Sequence, residues 1–355
     1  MPESCTKKRV TSVYKTSITI ILLLIFSLAH AKPFDTWTAL MLVSAKGKSD
    51  LVKQEINRGA NVNAHDEDQT TALMYAAWNG HIQVIDLLLD NGAHLNARDK
   101  HGANALMWAA KGGYTTAVQR LIERGANFNS LDNQGNNALF VAVSRHYPEI
   151  IRLLLRSGIN INHINKQKKS ALILALQRGH QALALQFISL GIDTNIRDEE
   201  GHTALWYAMR NNYEDVIQQL LPLLRSAQGQ NIEGLGLLHT AAQLGQAHLI
   251  RPLIAKKADP MAQSKEGNTA LMLGASNGHV AVVHALLNVG ADINHRNTYG
   301  NTALHLAAEH NHETLVRELL NLNADVRIKN KHGELALDVA RREGHAKLVS
   351  LLSAQ

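Results

Sequence analysis

The sequence predicts an all-α solenoid of ten helix-turn-helix units, each about 33 residues long, stacked in a single elongated, curved array. Three observations support this prediction. A triplet of the form Thr-Ala-Leu recurs at a constant interval, from the one that begins at Thr38 to the one that begins at Leu335. Glycines recur in the same register. The composition is 45% hydrophobic and 19% charged but only 5% aromatic, which suits thin helices packed through small side chains.

The first 31 residues have the three-part pattern of a secretory signal peptide. A basic stretch is followed by an apolar run over 18–29 and by the small-residue triplet Ala29-His30-Ala31. The run would form only about 18 Å of helix, which is short for a hydrocarbon core about 30 Å thick. We therefore expect cleavage between Ala31 and Lys32 and a mature repeat domain over 32–355. Retention of the segment as an N-terminal anchor is the alternative.

Loss of this segment would change both the charge and the redox chemistry of the chain. It contains four basic residues and one acidic residue, so the net charge would fall from +6 to +3. It also contains Cys5, the only cysteine, and the remaining chain could form no disulfide. Such a chain suits an oxidising compartment. We expect a soluble product in the periplasm or outside the cell, without stable membrane insertion.

Each unit, predicted to start near residues 33, 66, 99, 132, 165, 198, 231, 264, 297 and 330, shows the same signals in the same order. A Thr, Ser or Asn before the Ala-Leu pair predicts the cap of a first helix. Leucine and paired alanines at helical spacing predict its apolar face. An Asn-rich β-turn finger should follow the second helix. A glycine predicts the left-handed turn that ends this helix, at Gly59, Gly92, Gly125, Gly158, Gly191 and Gly290.

The complete unit resembles the ankyrin repeat over residues 33–355. The ninth unit comes closest to the motif of that family, with Thr302-Ala303-Leu304-His305 followed by Leu306-Ala307-Ala308. Alanine replaces the family's proline in almost every unit, and alanine is a good helix former. The resemblance indicates an exported bacterial ankyrin-repeat protein. It implies no catalysis and no cofactor, but a partner protein held along the concave face that the fingers and first helices form.

The repeat pattern places many basic residues and one tryptophan on this implied face. Trp78 is the expected aromatic anchor, whereas Tyr75, Trp108, Trp206 and Tyr207 are expected in the core. We expect a partner with an acidic surface, although a solvated face without a partner is the alternative. Nucleic acid is not expected, given the mature charge of +3. The basic set consists of Arg98, Lys100, His101, Lys111, Arg145, Lys166, Lys168, Lys169, Arg178, Arg197 and Arg210.

Enzymatic or metal-binding function is the alternative class, and it depends on the 19 histidines. His81, His180, His279 and His345 all follow the glycine between paired helices, and this repetition indicates a structural role. The densest cluster, His305, Glu309, His310 and His312, contains residues that zinc could use. The sequence has no phosphate loop, nucleophile elbow or paired cysteines. We therefore expect no enzyme, no metal and no cofactor.

The pattern is weakest between the sixth and seventh units. Pro222 stands near the end of the sixth unit's second helix, where it disfavours continuation, and Lys257 replaces the turn glycine. Two interpretations of this departure are open. It is either sequence drift that a redundant array tolerates, or the mark of a bend or a specialised contact point. Two forms of the binding hypothesis are also open: a periplasmic helper that holds an envelope protein, and a secreted factor that binds a host protein.

Overall fold

The computed structural model describes residues 37–354. The predicted signal peptide and its cleavage site at Ala31 and Lys32 lie outside these residues. Within 37–354 there are twenty α-helices and no β-strand, which confirms the all-α solenoid. In this part of the chain, no helix is both long enough and apolar enough to cross a membrane.

The helices follow one another in pairs, and successive first helices begin at the same constant interval as the triplets. The first helices are α1 (Ala39–Ala45), α3 (Ala72–Trp78), α5 (Ala105–Gly112), α7 (Ala138–Arg145), α9 (Ala171–Gln177), α11 (Ala204–Arg210), α13 (Leu237–Gln243), α15 (Ala270–Ser276), α17 (Ala303–Glu309) and α19 (Ala336–Arg342). The second helices are α2 (Ser49–Asn57), α4 (Ile82–Asp90), α6 (Thr115–Glu123), α8 (Pro148–Arg156), α10 (Gln181–Ser189), α12 (Glu214–Leu223), α14 (Ile250–Ala255), α16 (Val280–Leu287), α18 (Glu313–Asn321) and α20 (Ala346–Ser353). The segment between a second helix and the next first helix is called a finger below.

The predicted side-chain caps begin most of the first helices. Thr71 Oγ1 accepts a hydrogen bond from Met74 N at 3.4 Å, and Asn104 Oδ1 accepts one from Met107 N at 3.0 Å. These bonds satisfy amides that have no partner inside the helix. Three first helices use a side chain three residues further along instead, and these side chains belong to His239, His305 and Asp338.

A left-handed residue follows each second helix in the regular repeats. The six glycines predicted at this position have φ between 77° and 92°. Lys257 and Asn323, which stand where a glycine would be, adopt the same conformation with φ of 67° and 64°. The turn is therefore imposed by the packing of the array even where the residue does not favour it.

Adjacent repeats interlock through the residue that precedes each second helix. His81 Nε2 bonds to Ala45 O at 3.0 Å, and His345 Nε2 bonds to Glu309 O at 3.0 Å. In each case the carbonyl belongs to the last residue of the first helix in the repeat before. A Cβ on Gly80 would lie 2.3 Å from the ring of Tyr114, so the loop leaves no room for a side chain there. The structural role of His81, His279 and His345 is confirmed.

His180 occupies the same repeat position with a different environment. Its ring stacks on His146 at a centroid distance of 4.0 Å, and its Nε2 is buried without a hydrogen-bond partner in residues 37–354. Burial lowers the pKa of His180, and the nearby His146 and Arg178 lower it further. The ring is therefore held neutral as a packing element.

The junction between repeats six and seven is irregular but well anchored. Helix α12 ends one residue after Pro222, as predicted. Lys256 Nζ donates to Pro222 O at 2.8 Å, and Ala227 N donates to Lys256 O at 2.8 Å. The second helix of repeat seven begins as a short 3₁₀ turn, Ala247–Leu249, before α14. These bonds cross the junction in both directions, and a hinge there stays a prediction.

Candidate functional site

A groove runs along the side of the array that the first helices and fingers form. Three depressions lie in it, with volumes of about 420, 670 and 760 Å³. The first spans repeats two to four and the second repeats four and five, and they are continuous because both include Val141 and Ser144. The third spans repeats eight to ten. The groove of repeats two to five is thus one continuous surface.

Most fingers are organised by an Asp or Asn that lies six residues before the next first helix begins. Asp99 Oδ1 accepts hydrogen bonds from His101 N and Ala103 N, both at 2.8 Å. Its Oδ2 accepts a bond from Trp108 Nε1 at 2.9 Å, which links the finger to α5. This polar residue recurs once per repeat in most fingers and was missed by the sequence reasoning, although its period is visible at Asp66, Asp99, Asp132, Asn165, Asp198, Asn231, Asn297 and Asn330.

Two tyrosines make the same kind of hydrogen bond from a first helix to the aspartate of the finger before it. Tyr75 donates to Asp66 Oδ2 at 2.6 Å and Tyr207 donates to Asp198 Oδ2 at 2.7 Å. Burial raises the pKa of both phenols, and the hydrogen bond to the carboxylate raises it further. Both groups therefore stay protonated and serve as donors rather than as acid–base groups.

Aromatic rings form a connected row at the N-terminal end of the groove. Trp37 contacts Tyr75 at a centroid distance of 4.1 Å, Tyr75 contacts Trp108 at 5.9 Å, and Trp108 contacts Trp78 at 5.1 Å. Lys111 Nζ lies 4.9 Å from the Trp78 ring and 5.7 Å from the Trp108 ring. This geometry is that of a cation–π contact. Trp78 thus contacts Lys111, a residue that lines the first depression.

Tyr75, Trp108 and Trp206 pack against the core, as expected, but all three are only partly buried. Tyr75 and Trp108 also line the first depression. The physical reason is that the polar atoms of Tyr75 and Trp108 must reach a carboxylate of the finger, outside the helix stack. Tyr207 is the exception, and it is buried as expected.

Several of the predicted cations are engaged within the array. Arg98 donates to Gly102 O at 3.0 Å and to Leu131 O at 2.6 Å, so it joins two fingers. Arg197 donates to Gly201 O at 2.8 Å. Lys100 forms an ion pair with Asp68, and Lys169 Nζ donates to Gln177 Oε1 at 3.1 Å. Arg98 and Arg197 therefore have a structural task at equivalent places in two repeats.

A second group of predicted cations remains accessible. It shares two properties: the side chains are exposed, and they make no hydrogen bond or ion pair with the rest of 37–354. Arg210 is also exposed, and its guanidinium lies 5.1 Å from the ring of Trp206. The group consists of His101, Arg145, Lys166, Lys168 and Arg178. Tyr75 and Trp108 therefore share one continuous groove with Arg145 and Arg178. Lys166 and Lys168 line neither of its two depressions.

Family models for ankyrin repeats match nearly the whole chain. One for three copies matches residues 11–99, 96–165, 157–233 and 222–297, and one for many copies matches residues 286–340. The chain belongs to the ankyrin-repeat family. No curated protein matches its sequence. Ankyrin repeats are scaffolds for protein–protein interaction and are generally non-catalytic.

The histidine cluster of repeat nine is dispersed in this ankyrin array. His305 is buried, its Nδ1 accepts a bond from Thr302 N at 3.2 Å, and its Nε2 bonds to Glu334 O at 3.1 Å. His310 and His312 bond to other backbone carbonyls. Among residues 37–354, no group of three His, Cys, Asp or Glu side chains is arranged to hold a metal ion. Burial lowers the pKa of His305, which keeps the ring neutral.

The third depression has the opposite charge from the second, which Lys169 and Arg178 line, whereas acidic and basic residues both line the first. Glu266, Glu309 and Glu334 line it, and Arg342 Nε pairs with Glu334 Oε1 at 3.2 Å. Tyr299 lies at its edge with 53% of its surface exposed. The sequence reasoning missed this acidic part of the ankyrin groove because it followed basic residues. The second depression is therefore basic and the third is acidic.

Proposed function

We propose that the chain is an exported, non-catalytic ankyrin scaffold that holds a partner protein with an acidic surface along the groove of repeats two to six. The observation that carries this proposal is the continuous groove with accessible cations, above all Arg145 and Arg178. Residues 98–210 contain fourteen Lys and Arg against eight Asp and Glu. An acidic partner gains both attraction and a faster encounter from such a surface.

Aromatic side chains support the same part of the groove. Trp78 and Trp108 stand at one end and Trp206 at the other, each beside a cation. Tryptophan and arginine are frequent anchors in protein interfaces because they bury a large area and retain a polar or charged atom. Proteins rather than nucleic acids are favoured because the net charge without residues 1–31 is only +3.

Export is supported by the order of basic, apolar and small residues in 1–31. A bacterial source rests on the resemblance to exported bacterial ankyrin-repeat proteins. Cell fractionation tests both export and destination. Recovery from the periplasm favours a helper of an envelope protein, and recovery from the medium or from host cells favours a secreted factor. Recovery from the cytoplasm alone would contradict export.

Partner capture tests the groove directly. The chain from Lys32 onwards is immobilised, and an envelope extract is passed over it at about 50 mM and about 500 mM salt, because screening weakens ionic contacts. The groove variant carries Lys168→Glu, Lys169→Glu and Arg178→Glu. We expect the bound protein to fall with salt and with this variant. The melting temperature should stay within a few degrees, since Lys168 and Arg178 are exposed and the half-buried Lys169 makes only one side-chain hydrogen bond, to Gln177.

A matched control separates the groove from the total charge. Lys53, Arg156 and Arg251 are exposed on second helices and make no side-chain hydrogen bond or ion pair within 37–354. Their reversal to Glu changes the net charge by the same amount. Equal capture by the two triple variants would show that the groove has no specific part in binding.

A further inference from the structure

Four basic side chains stand at the ends of four consecutive first helices. Lys111 lies in the last turn of α5, Arg145 ends α7, Arg178 follows α9 and Arg210 ends α11. We call these residues the basic row, and each of repeats three to six contributes one of them. No Asp or Glu occupies the last turn of these four helices.

The basic row is not a general feature of the array. Lys46 in repeat one and Arg342 in repeat ten occupy equivalent positions, but repeats seven, eight and nine have no Lys or Arg there. A cation at a helix C-terminus interacts favourably with the helix dipole. That benefit applies to every first helix equally, so it does not account for an unbroken run over repeats three to six.

All four side chains keep a charge that can be offered to a partner. Arg145 and Arg178 are exposed and form no hydrogen bond or ion pair within 37–354. Lys111 and Arg210 lie over tryptophan rings, which restrict their positions without neutralising them. Lys111 and Arg210, at the two ends of the basic row, are therefore restrained, whereas Arg145 and Arg178 between them are exposed.

The spacing of the row fits an extended chain. Packed helices lie about 8–10 Å apart, so neighbouring members of the row are separated by about that distance. Polyproline II is an extended conformation with three residues per turn and an advance of about 3.1 Å per residue, so three residues span about 9 Å. Every third side chain of such a segment points to the same side, and acidic residues at these positions would each face one cation.

The groove beneath the row also favours an extended chain over a helix. Gln134 and Gln167 line the second depression with exposed carboxamides that form no side-chain hydrogen bond in residues 37–354. An extended segment exposes backbone N–H and C=O groups that such carboxamides can satisfy, whereas a helix uses these groups internally.

We infer that the groove of repeats three to six binds an extended segment of its partner in which acidic residues recur at every third position. The inference rests on the proposed function and adds the conformation and the spacing of the bound segment. The occupant is thus an acidic peptide with a defined period rather than any negatively charged surface.

Two synthetic peptides of equal composition test the period. Each has about twelve residues, four of them Glu among Ser and Thr, with the Glu residues either at every third position or in one block. Binding to the purified chain, expressed from the full sequence, is followed by fluorescence anisotropy of a label on the peptide. We expect the periodic peptide to bind about tenfold more tightly.

Substitutions locate the contact. Arg145→Gln with Arg178→Gln should weaken binding of the periodic peptide by about tenfold, and Arg156→Gln with Arg251→Gln, on second helices, should leave it unchanged. Circular dichroism checks that both double variants are folded. Equal loss in both variants would overturn the assignment to the basic row.

The remaining outcomes separate this inference from the proposed function. Equal affinity for the two peptides would overturn the three-residue period, although an acidic partner in the groove would still stand. Failure of both peptides to bind, with capture of a protein that is lost on reversal of Lys168, Lys169 and Arg178, would overturn the extended mode only. Failure of capture as well would remove both proposals.

Discussion

Acid should destabilise the array through two buried histidines, and their replacement should remove much of that sensitivity. His239 and His305 occupy the same position in repeats seven and nine, with 1% and 2% of their surface exposed. In both, Nδ1 accepts a backbone N–H, at 3.1 Å and 3.2 Å, and Nε2 bonds to a carbonyl of the next repeat. This arrangement requires the neutral ring, and burial lowers the pKa of both groups.

The sign and the limiting size of the effect follow from proton linkage. The unfolded chain has imidazoles with pKa near 6.5, whereas the folded state resists protonation of these two. Stability is therefore complete above about pH 6.5 and is lost as the pH falls below it, because the unfolded state then binds more protons. Each ring contributes at most about 1.4 kcal/mol per pH unit, so the pair contributes at most about 2.7 kcal/mol per unit.

Urea unfolding of the protein and of the His239→Gln, His305→Gln variant measures this contribution. Glutamine keeps one acceptor and one donor but does not titrate. Circular dichroism at about pH 7, 6 and 5 gives the slope of the unfolding free energy against pH, and we expect a steeper slope for the unsubstituted protein. The other seventeen histidines are common to both proteins and largely cancel. Parallel losses between pH 7 and 5 would refute the reasoning.

Three further predictions concern packing and the fingers. Phe187 is fully buried in α10, and Phe187→Ala should cost about 3–5 kcal/mol in urea unfolding; a loss under about 1 kcal/mol would contradict close packing there. Gly92→Ala, which meets no atom within 4 Å, should cost about 1–2 kcal/mol for its left-handed backbone, and Gly80→Ala should cost clearly more because its Cβ would strike a ring. Equal losses would contradict the steric argument. Arg98→Ala should speed amide exchange in the two fingers that it joins by about threefold or more, with Lys166→Ala as the unaffected control.

The fold could be predicted because its causes are local and repeated. Thr71 and Asn104 cap helices through a bond that spans three residues, and glycines such as Gly92 adopt the left-handed turn one repeat after another. The constant period of the array makes each local signal visible in most of the repeats. The family models match the same repeats.

The groove could be predicted only in part, because its details depend on contacts across repeats. Arg98 and Lys111 look alike in the sequence, since both are basic residues placed on the groove side. The structure shows that the Arg98 guanidinium reaches the carbonyl of Leu131 in the next finger, whereas Lys111 rests on tryptophan. Trp108 differs, because the contact that draws it towards the groove lies within its own repeat: its N–H donates to Asp99 in the finger just before α5.

The interlocking between repeats has a consequence for how the chain can be made. The bonds that join neighbours connect residues only about one repeat apart in sequence, as with 36 residues between His81 and Ala45 and 33 between Arg98 and Leu131. A segment leaving a ribosome or a translocation channel N-terminus first can therefore complete its contacts once the next repeat has emerged. The slowest step of folding is then the conformational search within two neighbouring repeats, and a longer array would not slow that step.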